Sequence, residues 1–146
     1  MKTRVLIVDD EEKFSNPLAE RLRLRDYEVT TSQSGEDAIT QVKKYNYDVV
    51  ILDVLMPGMD GIETLREIKK IKPLTEIIML TGHATVETAI EGMKQGAMDF
   101  LMKPCETEDL VSKIQKAYHR KLEQEERIRE AKARDIIASP RSVLKE

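Results

Sequence analysis

The stretch VVILDVLMPGMDGIETLREIKKIKP, residues 49–73, decides the fold. Val49–Leu52 is apolar without alternation, as expected of a strand covered on both faces in the middle of a parallel sheet. Asp53 ends the run. Asp60, followed three residues later by Glu63, opens a helix that continues to about Lys70, and Pro73 stops it. A carboxylate therefore stands where a buried strand gives way to a loop and a helix.

The same unit repeats outward in both directions. The other strand candidates are Val5–Val8, Glu28–Ser32, Glu76–Leu80 and Asp99–Met102, and three of the five runs (VLIV, VVIL, IIML) are continuously apolar. Ser34 and Asp37 read as a capping box for a helix to about Lys44. Thr85 can cap a helix to about Gln95, with Gly96 at its end, and a last helix starts near Thr107. Pro17 is a misfit that points to a late or irregular start of the first helix. Val86, Ile90 and Met93 fall at helical spacing, which favours a core-facing stripe over a partner surface. Strands alternating with helices of this length imply right-handed crossovers and an open, doubly wound parallel sheet.

Composition narrows the function. The chain has 146 residues, 40% hydrophobic and 35% charged, with a formal net charge of -3. That fits one domain with a short extension and gives no bulk attraction to nucleic acid or anionic membrane. Cys105 is the single cysteine, so no internal disulfide framework exists, and a reducing, cytoplasmic compartment is expected. The apolar run after Met1 is too short for a signal peptide or a span.

A boundary is expected near His119. Through Tyr118 there are 16 Lys and Arg against 21 Asp and Glu; from His119 onward there are 8 against 6. This tail carries Glu123–Arg127, Glu125–Arg129 and Glu130–Arg134, each pair worth about 0.2–0.5 kcal/mol in a helix. Its apolar residues Leu122, Ile128, Ile136 and Ile137 keep no sustained heptad. The tail reads as a solvated helix fraying before Pro140, with His119 also solvated.

In a doubly wound sheet, ligands bind beyond the carboxyl ends of the strands. Those ends carry Asp9 and Asp10, Asp53, Thr81 and Lys103. Singly, each has an ordinary explanation, as a helix cap or a loop residue. Together they describe a site. Three carboxylates at about 5 Å separation repel by about 3 kcal/mol per pair at an effective dielectric near 20. A hard divalent cation such as Mg²⁺ relieves this. With an ammonium and a hydroxyl added, the set suits a tetrahedral oxyanion, and a carboxylate there can act as nucleophile and become an aspartyl phosphate.

VLIVDDEE (Val5–Glu12), DVVILDVLMPGMDGIE (Asp48–Glu63), IIMLTGHA (Ile77–Ala84) and AMDFLMKP (Ala97–Pro104) resemble the receiver domains of response regulators in motif, order and spacing. The resemblance covers about residues 2–118. TGH and DFLMKP look most like receivers of the nitrogen-regulatory type. It implies a flavodoxin-like (βα)₅ fold, strand order 2-1-3-4-5, for residues 1–118, with 119–146 a helical extension bearing no effector domain. It further implies that Asp53 accepts a phosphoryl group from a sensor histidine kinase or phosphotransfer domain. Mg²⁺ would be held by Asp10, Asp53 and the Leu55 carbonyl, with Asp9 acting mostly through water.

Lys103 would pair with the phosphoryl group, and the Lys103–Pro104 bond would be cis. Thr81 and Phe100 would switch the Thr85–Tyr118 face toward a downstream protein or a second copy of the chain. Leu55 and His83 would set the lifetime of the phosphorylated form. Catalysis would extend at most to self-phosphorylation from small donors and autodephosphorylation. Cys105 reads as a small residue at the edge of the core. Two other readings stay open. One is a receiver-like binding module that is never phosphorylated. The other is a Mg²⁺-dependent aspartyl-phosphate phosphatase, disfavoured because Asp53 has no acid two positions on. The sequence suits a stand-alone regulator better than an excised receiver.

Overall fold

The computed structural model describes residues 2–82 and 85–138. It is a five-stranded parallel sheet in the order 2-1-3-4-5, wound on both faces by helices. In chain order the elements are β1 (Arg4–Val8), α1 (Glu12–Leu24), β2 (Glu28–Ser32), α2 (Gly35–Lys44) and β3 (Val49–Leu52). They continue with α3 (Gly61–Ile71), β4 (Glu76–Thr81), α4 (Val86–Lys94), β5 (Asp99–Met102) and α5 (Thr107–Ala138).

Side-chain alternation along the strands splits the core into two layers. Val5, Ile7, Val49 and Ile51 pack under α1 and α5 with Leu18, Leu22, Leu110 and Ile114. Leu6, Val8, Val50 and Leu52 pack under α2 and α3 with Val42, Leu65 and Ile68. β1 and β3 are buried along both sides, which is why their sequences show no polar alternation.

The caps form at the expected residues. Ser34 accepts the Asp37 amide and Asp60 accepts the Glu63 amide, while Thr85 and Thr88 make a reciprocal capping box. Asp37 does not reciprocate; its carboxylate accepts the Ser32 hydroxyl.

Three expectations need correction. α1 starts promptly at Glu12 and holds Pro17 in its interior. Its N-cap is Glu11, with no side-chain cap, and Asp9 just ahead of it accepts the Glu11 amide. The bond that Pro17 cannot donate would go to the Lys13 carbonyl on the exposed side, where water can replace it. α4 does not bury its large apolar residues. Val86, Ile90 and Met93 face solvent, and only Gly92 is buried. A Cβ at Gly92 would lie 2.4 Å from Met79 Sδ, so α4 approaches the sheet through its glycine and turns the apolar stripe outward.

The tail also pairs differently. Arg127 meets Glu123 at 3.8 Å, but Arg129 chooses Glu126 at 2.5 Å and Glu125 turns back to Lys121 at 3.4 Å. No Glu130–Arg134 pair forms among the described residues.

α5 passes residue 118 without a break. Lys121 reaches Asp48 at 3.1 Å and Arg120 reaches Glu76 at 3.1 Å, tying the helix to the starts of β3 and β4. Beyond that point Leu122, Ile128, Ile136 and Ile137 are exposed, as is His119. Cys105 is half-buried against the α1–α5 layer. Pro140 lies outside the described residues. No helix among the described residues is long and apolar enough to cross a membrane.

Candidate functional site

Three main-chain hydrogen bonds continue the sheet past its strand ends. The Asp9 amide donates to the Ser32 carbonyl at 3.0 Å, the Asp53 amide to Val8 at 2.9 Å, and the Lys103 amide to Thr81 at 2.9 Å. Val8 is in register with Leu52, and Thr81 with Met102. The residues that follow therefore arrive at one edge. Asp9, Asp53 and Thr81 are buried, whereas Asp10 is exposed.

The loop after β3 is held from both sides. The Gly61 amide donates to the Val54 carbonyl at 2.8 Å, and the Glu36 carboxylate accepts the Met59 amide at 2.8 Å. That amide holds the Glu36 carboxyl below its usual range. Leu55 is left 56% exposed on the rim of a cleft of about 430 Å³ shared with Asp10, Glu11, Met56 and Pro57.

Lys103 spans the site. Its Nζ donates to Asp9 Oδ2 at 2.6 Å and lies 3.6 Å from Glu11 and 3.8 Å from Asp53 Oδ2. Both Asp9 oxygens are thus engaged, one by Lys103 and the other by the Glu11 amide. Burial pushes the Lys103 ammonium down, but the bond to Asp9 and the charges of Asp9, Asp53 and Glu11 outweigh it, so its pKa lies above the ordinary value. Asp9 is raised too: burial, reinforced by the charge of Asp53, outweighs Lys103 and the Glu11 amide. Both directions describe a partly buried pocket that favours added positive charge.

Carboxylate oxygens of Asp9, Asp10, Glu11 and Asp53 all lie within 4.8 Å of one another. Both Asp53 oxygens are buried with no hydrogen-bond partner among the described residues. An anion buried without donors costs several kcal/mol unless a cation completes its surroundings. An all-oxygen set with one orphaned carboxylate and room for water fits a hard divalent ion.

Asp9, Asp10, Asp53, Leu55, Thr81 and Lys103 therefore converge at one edge, and Phe100 is half-buried against the α2–α3 layer. The Lys103–Pro104 peptide is cis. His83 lies outside the described residues. Sequence reading overlooked Glu11 and Phe14. Glu11 was visible as the third acid of the DDEE run, whereas Phe14 is a turn into α1, and only the folded chain places its ring under Lys103.

Comparison with known proteins agrees with this geometry. Residues 5–115 match the family model of the response regulator receiver domain. The transcriptional regulatory protein ZraR of Salmonella typhimurium (strain LT2) is 41% identical over 116 residues, covering 80% of this chain and 26% of that protein. An uncharacterized transcriptional regulatory protein of Bacillus subtilis (strain 168), YkoG, is 35% identical over 80% of this chain and 51% of its own length. The chain thus spans from about a quarter to about half of these relatives.

Among solved structures, a CheY-like receiver domain protein from Methanospirillum hungatei JF-1 superposes with a TM-score of 0.82 at 27% identity, covering 85% of this chain and 99% of that one. The beryllofluoride-activated NtrC4 receiver domain dimer gives a TM-score of 0.77 at 36% identity, covering 81% and 98%. With the family match running through every strand and both the fold and the acidic edge in place, the chain belongs to the response regulator receiver domains of two-component signalling.

Proposed function

We propose that this receiver is switched by transfer of a phosphoryl group to Asp53, with Mg²⁺ held at the same edge. The observation that carries the reading is the Asp53 carboxylate, buried without a hydrogen-bond partner among the described residues and 3.8 Å from the Lys103 ammonium. An Asp53 oxygen attacks phosphorus and forms a P–O bond. The bond from phosphorus to the donor's histidine nitrogen, or to the acetate oxygen of acetyl phosphate, breaks, and its electron pair leaves with the donor. Mg²⁺, held by Asp10, Asp53 and the Leu55 carbonyl, would offset the charge of the carboxylates and the incoming oxygens. Asp9 orients Lys103 and acts on the ion through water.

Attachment brings up to two negative charges and three acceptor oxygens to the end of β3. A new charge-assisted bond from Thr81 contributes about 1.5–3 kcal/mol, and Lys103, exchanging its bond to Asp9 for the more highly charged phosphoryl group, adds the difference between two such bonds. Moving a population from 1:99 to 99:1 takes about 5.5 kcal/mol, so these contacts shift the equilibrium by a substantial part of that range. Thr81 and Phe100 carry the change into the Thr85–Tyr118 face. There Val86, Ile90, Met93 and Met102 already stand exposed, an apolar surface suited to a protein partner.

The donor is a sensor histidine kinase or phosphotransfer domain, which places the chain in the cytoplasm. The recipient is a downstream protein or a second copy, the latter by analogy with the NtrC4 receiver dimer. Residues 1–118 act as the receiver, with the part of α5 from 119 to 138 as its helical extension. Leu55 and His83 shape the path of the water that hydrolyses the acyl phosphate. The chain acts as a phosphoacceptor and turns over only its own phosphoryl group.

Incubation with acetyl phosphate, with and without Mg²⁺, followed by intact mass, tests the reading. One added phosphoryl group that requires Mg²⁺ and is absent from Asp53→Asn supports it. No gain under either condition refutes it.

A further inference from the structure

The Lys103 ammonium lies 4.1 Å from the centroid of the Phe14 ring, on the first turns of α1. Its strong hydrogen bond is to Asp9 at 2.6 Å, while Asp53 Oδ2 is beyond bonding distance at 3.8 Å. Asp9 also accepts the Glu11 amide just ahead of α1, and the Phe14 amide donates to the Glu11 carbonyl at 3.0 Å. The residue that holds the ammonium and the ring beneath it are thus set by the same short turn. Phe14 is half-buried against the α1–α5 layer, which fixes the ring, and the Lys103 side chain is only 13% exposed.

We infer that Phe14 is a positioning residue for Lys103: the ring keeps the ammonium in the site while it exchanges Asp9 for the phosphoryl oxygens. This rests on Asp53 being the phosphoacceptor. To serve an incoming phosphoryl group the ammonium must loosen its bond to Asp9 although its own side chain is largely shielded from water. A carboxylate in place of Phe14 would hold the ammonium through a directed bond. An aliphatic residue would desolvate it with nothing in return. An aromatic face attracts the cation without claiming an N–H, and the attraction tolerates a shift across the ring. The phosphoryl group then meets all three N–H donors free to turn.

The test uses the full chain with Phe14→Leu, Phe14→Tyr, and phenylalanine at position 14 carrying one, two or three ring fluorines. Fluorine keeps the shape of the ring and drains its negative face. The readout is the rate of acetyl phosphate labelling in Mg²⁺, followed by intact mass, beside thermal unfolding. Phe14→Leu is expected to slow labelling about threefold to tenfold, as loss of a partly desolvated cation–π contact implies. Phe14→Tyr should retain the rate, and each added fluorine should lower it in step without moving the unfolding temperature. In Lys103→Met the Phe14→Leu change should have no further effect.

A rate indifferent to fluorination, or a Phe14→Leu effect of equal size in Lys103→Met, would overturn the inference and leave Phe14 as packing. A parent chain that takes no label at all would overturn it differently, by removing Asp53 as the acceptor.

Discussion

Gly61 occupies the tightest point behind the site, and its replacement by alanine exposes how the loop geometry supports Asp53. A Cβ at position 61 would stand 2.2 Å from the Asp53 carbonyl oxygen and 2.6 Å from the Val54 Cα. Both neighbours are backbone, so no rotamer change can relieve the clash, and the carbonyl must retreat by about 1 Å to reach ordinary contact. The Gly61 amide to Val54 carbonyl bond at 2.8 Å would stretch with it. Overpacking of this kind costs about 1–3 kcal/mol. For a chain of this size that lowers the unfolding temperature by about 2–12 °C. The larger consequence is chemical, because a displacement of about 1 Å at a reacting group can cost about a hundredfold in rate. Gly61→Ala should therefore fold, melt somewhat lower, and label from acetyl phosphate about a hundredfold more slowly. Scanning calorimetry and timed intact mass give both numbers. A variant with parental melting and a parental rate would refute the claim that this backbone contact sets the position of Asp53.

Other consequences are equally direct. Mg²⁺ at tenfold its dissociation constant should stabilise the chain by about 1.4 kcal/mol, read as a rise in unfolding temperature that Asp53→Asn reduces; no rise would remove the cation from the account. Leu55→Asn should change the decay rate of the phosphorylated form several-fold by altering access of water, and an unchanged half-life would exclude Leu55 from that path. Burial raises the Asp99 carboxyl, but the Lys113 ammonium at 2.5 Å and the Phe100 amide outweigh it, so Asp99 titrates below its ordinary 3.8. Its contribution is therefore present above that value and lost as pH falls through the folded pKa. The stability gap between parent and Asp99→Asn, from urea midpoints, should be constant above about pH 5 and close below it. A gap that widens in acid would contradict this assignment.

Much of this was legible because the strands announce themselves. VLIV, VVIL and IIML have no polar alternation because β1, β3 and β4 are covered on both faces, and the residue after each run is the one the sheet delivers to its edge. Asp9, Asp53, Thr81 and Lys103 could thus be placed together before any coordinates. What escaped depends on facts outside periodicity. The stripe of Val86, Ile90 and Met93 marks one side of α4, but the direction of the sheet is set by the close approach of Gly92 to Met79. Pro17 looked disruptive only while the exposure of Lys13 and Pro17 was unknown. Arg129 had acids at both three and four positions back, separated by tenths of a kcal/mol, so spacing alone could not choose. Phe14 carries no polar signature, and its place beneath Lys103 is set by a contact spanning most of the chain.

The central claim is that Asp53, rather than another acid in the cluster, takes the phosphoryl group. Borohydride reduction of the labelled chain converts an aspartyl phosphate to homoserine, and peptide mass mapping then names the residue. Homoserine is expected at position 53 alone, formed only when Mg²⁺ was present during labelling. Reduction at Asp9, Asp10 or Glu11, or a phosphoryl group that resists borohydride, would contradict it.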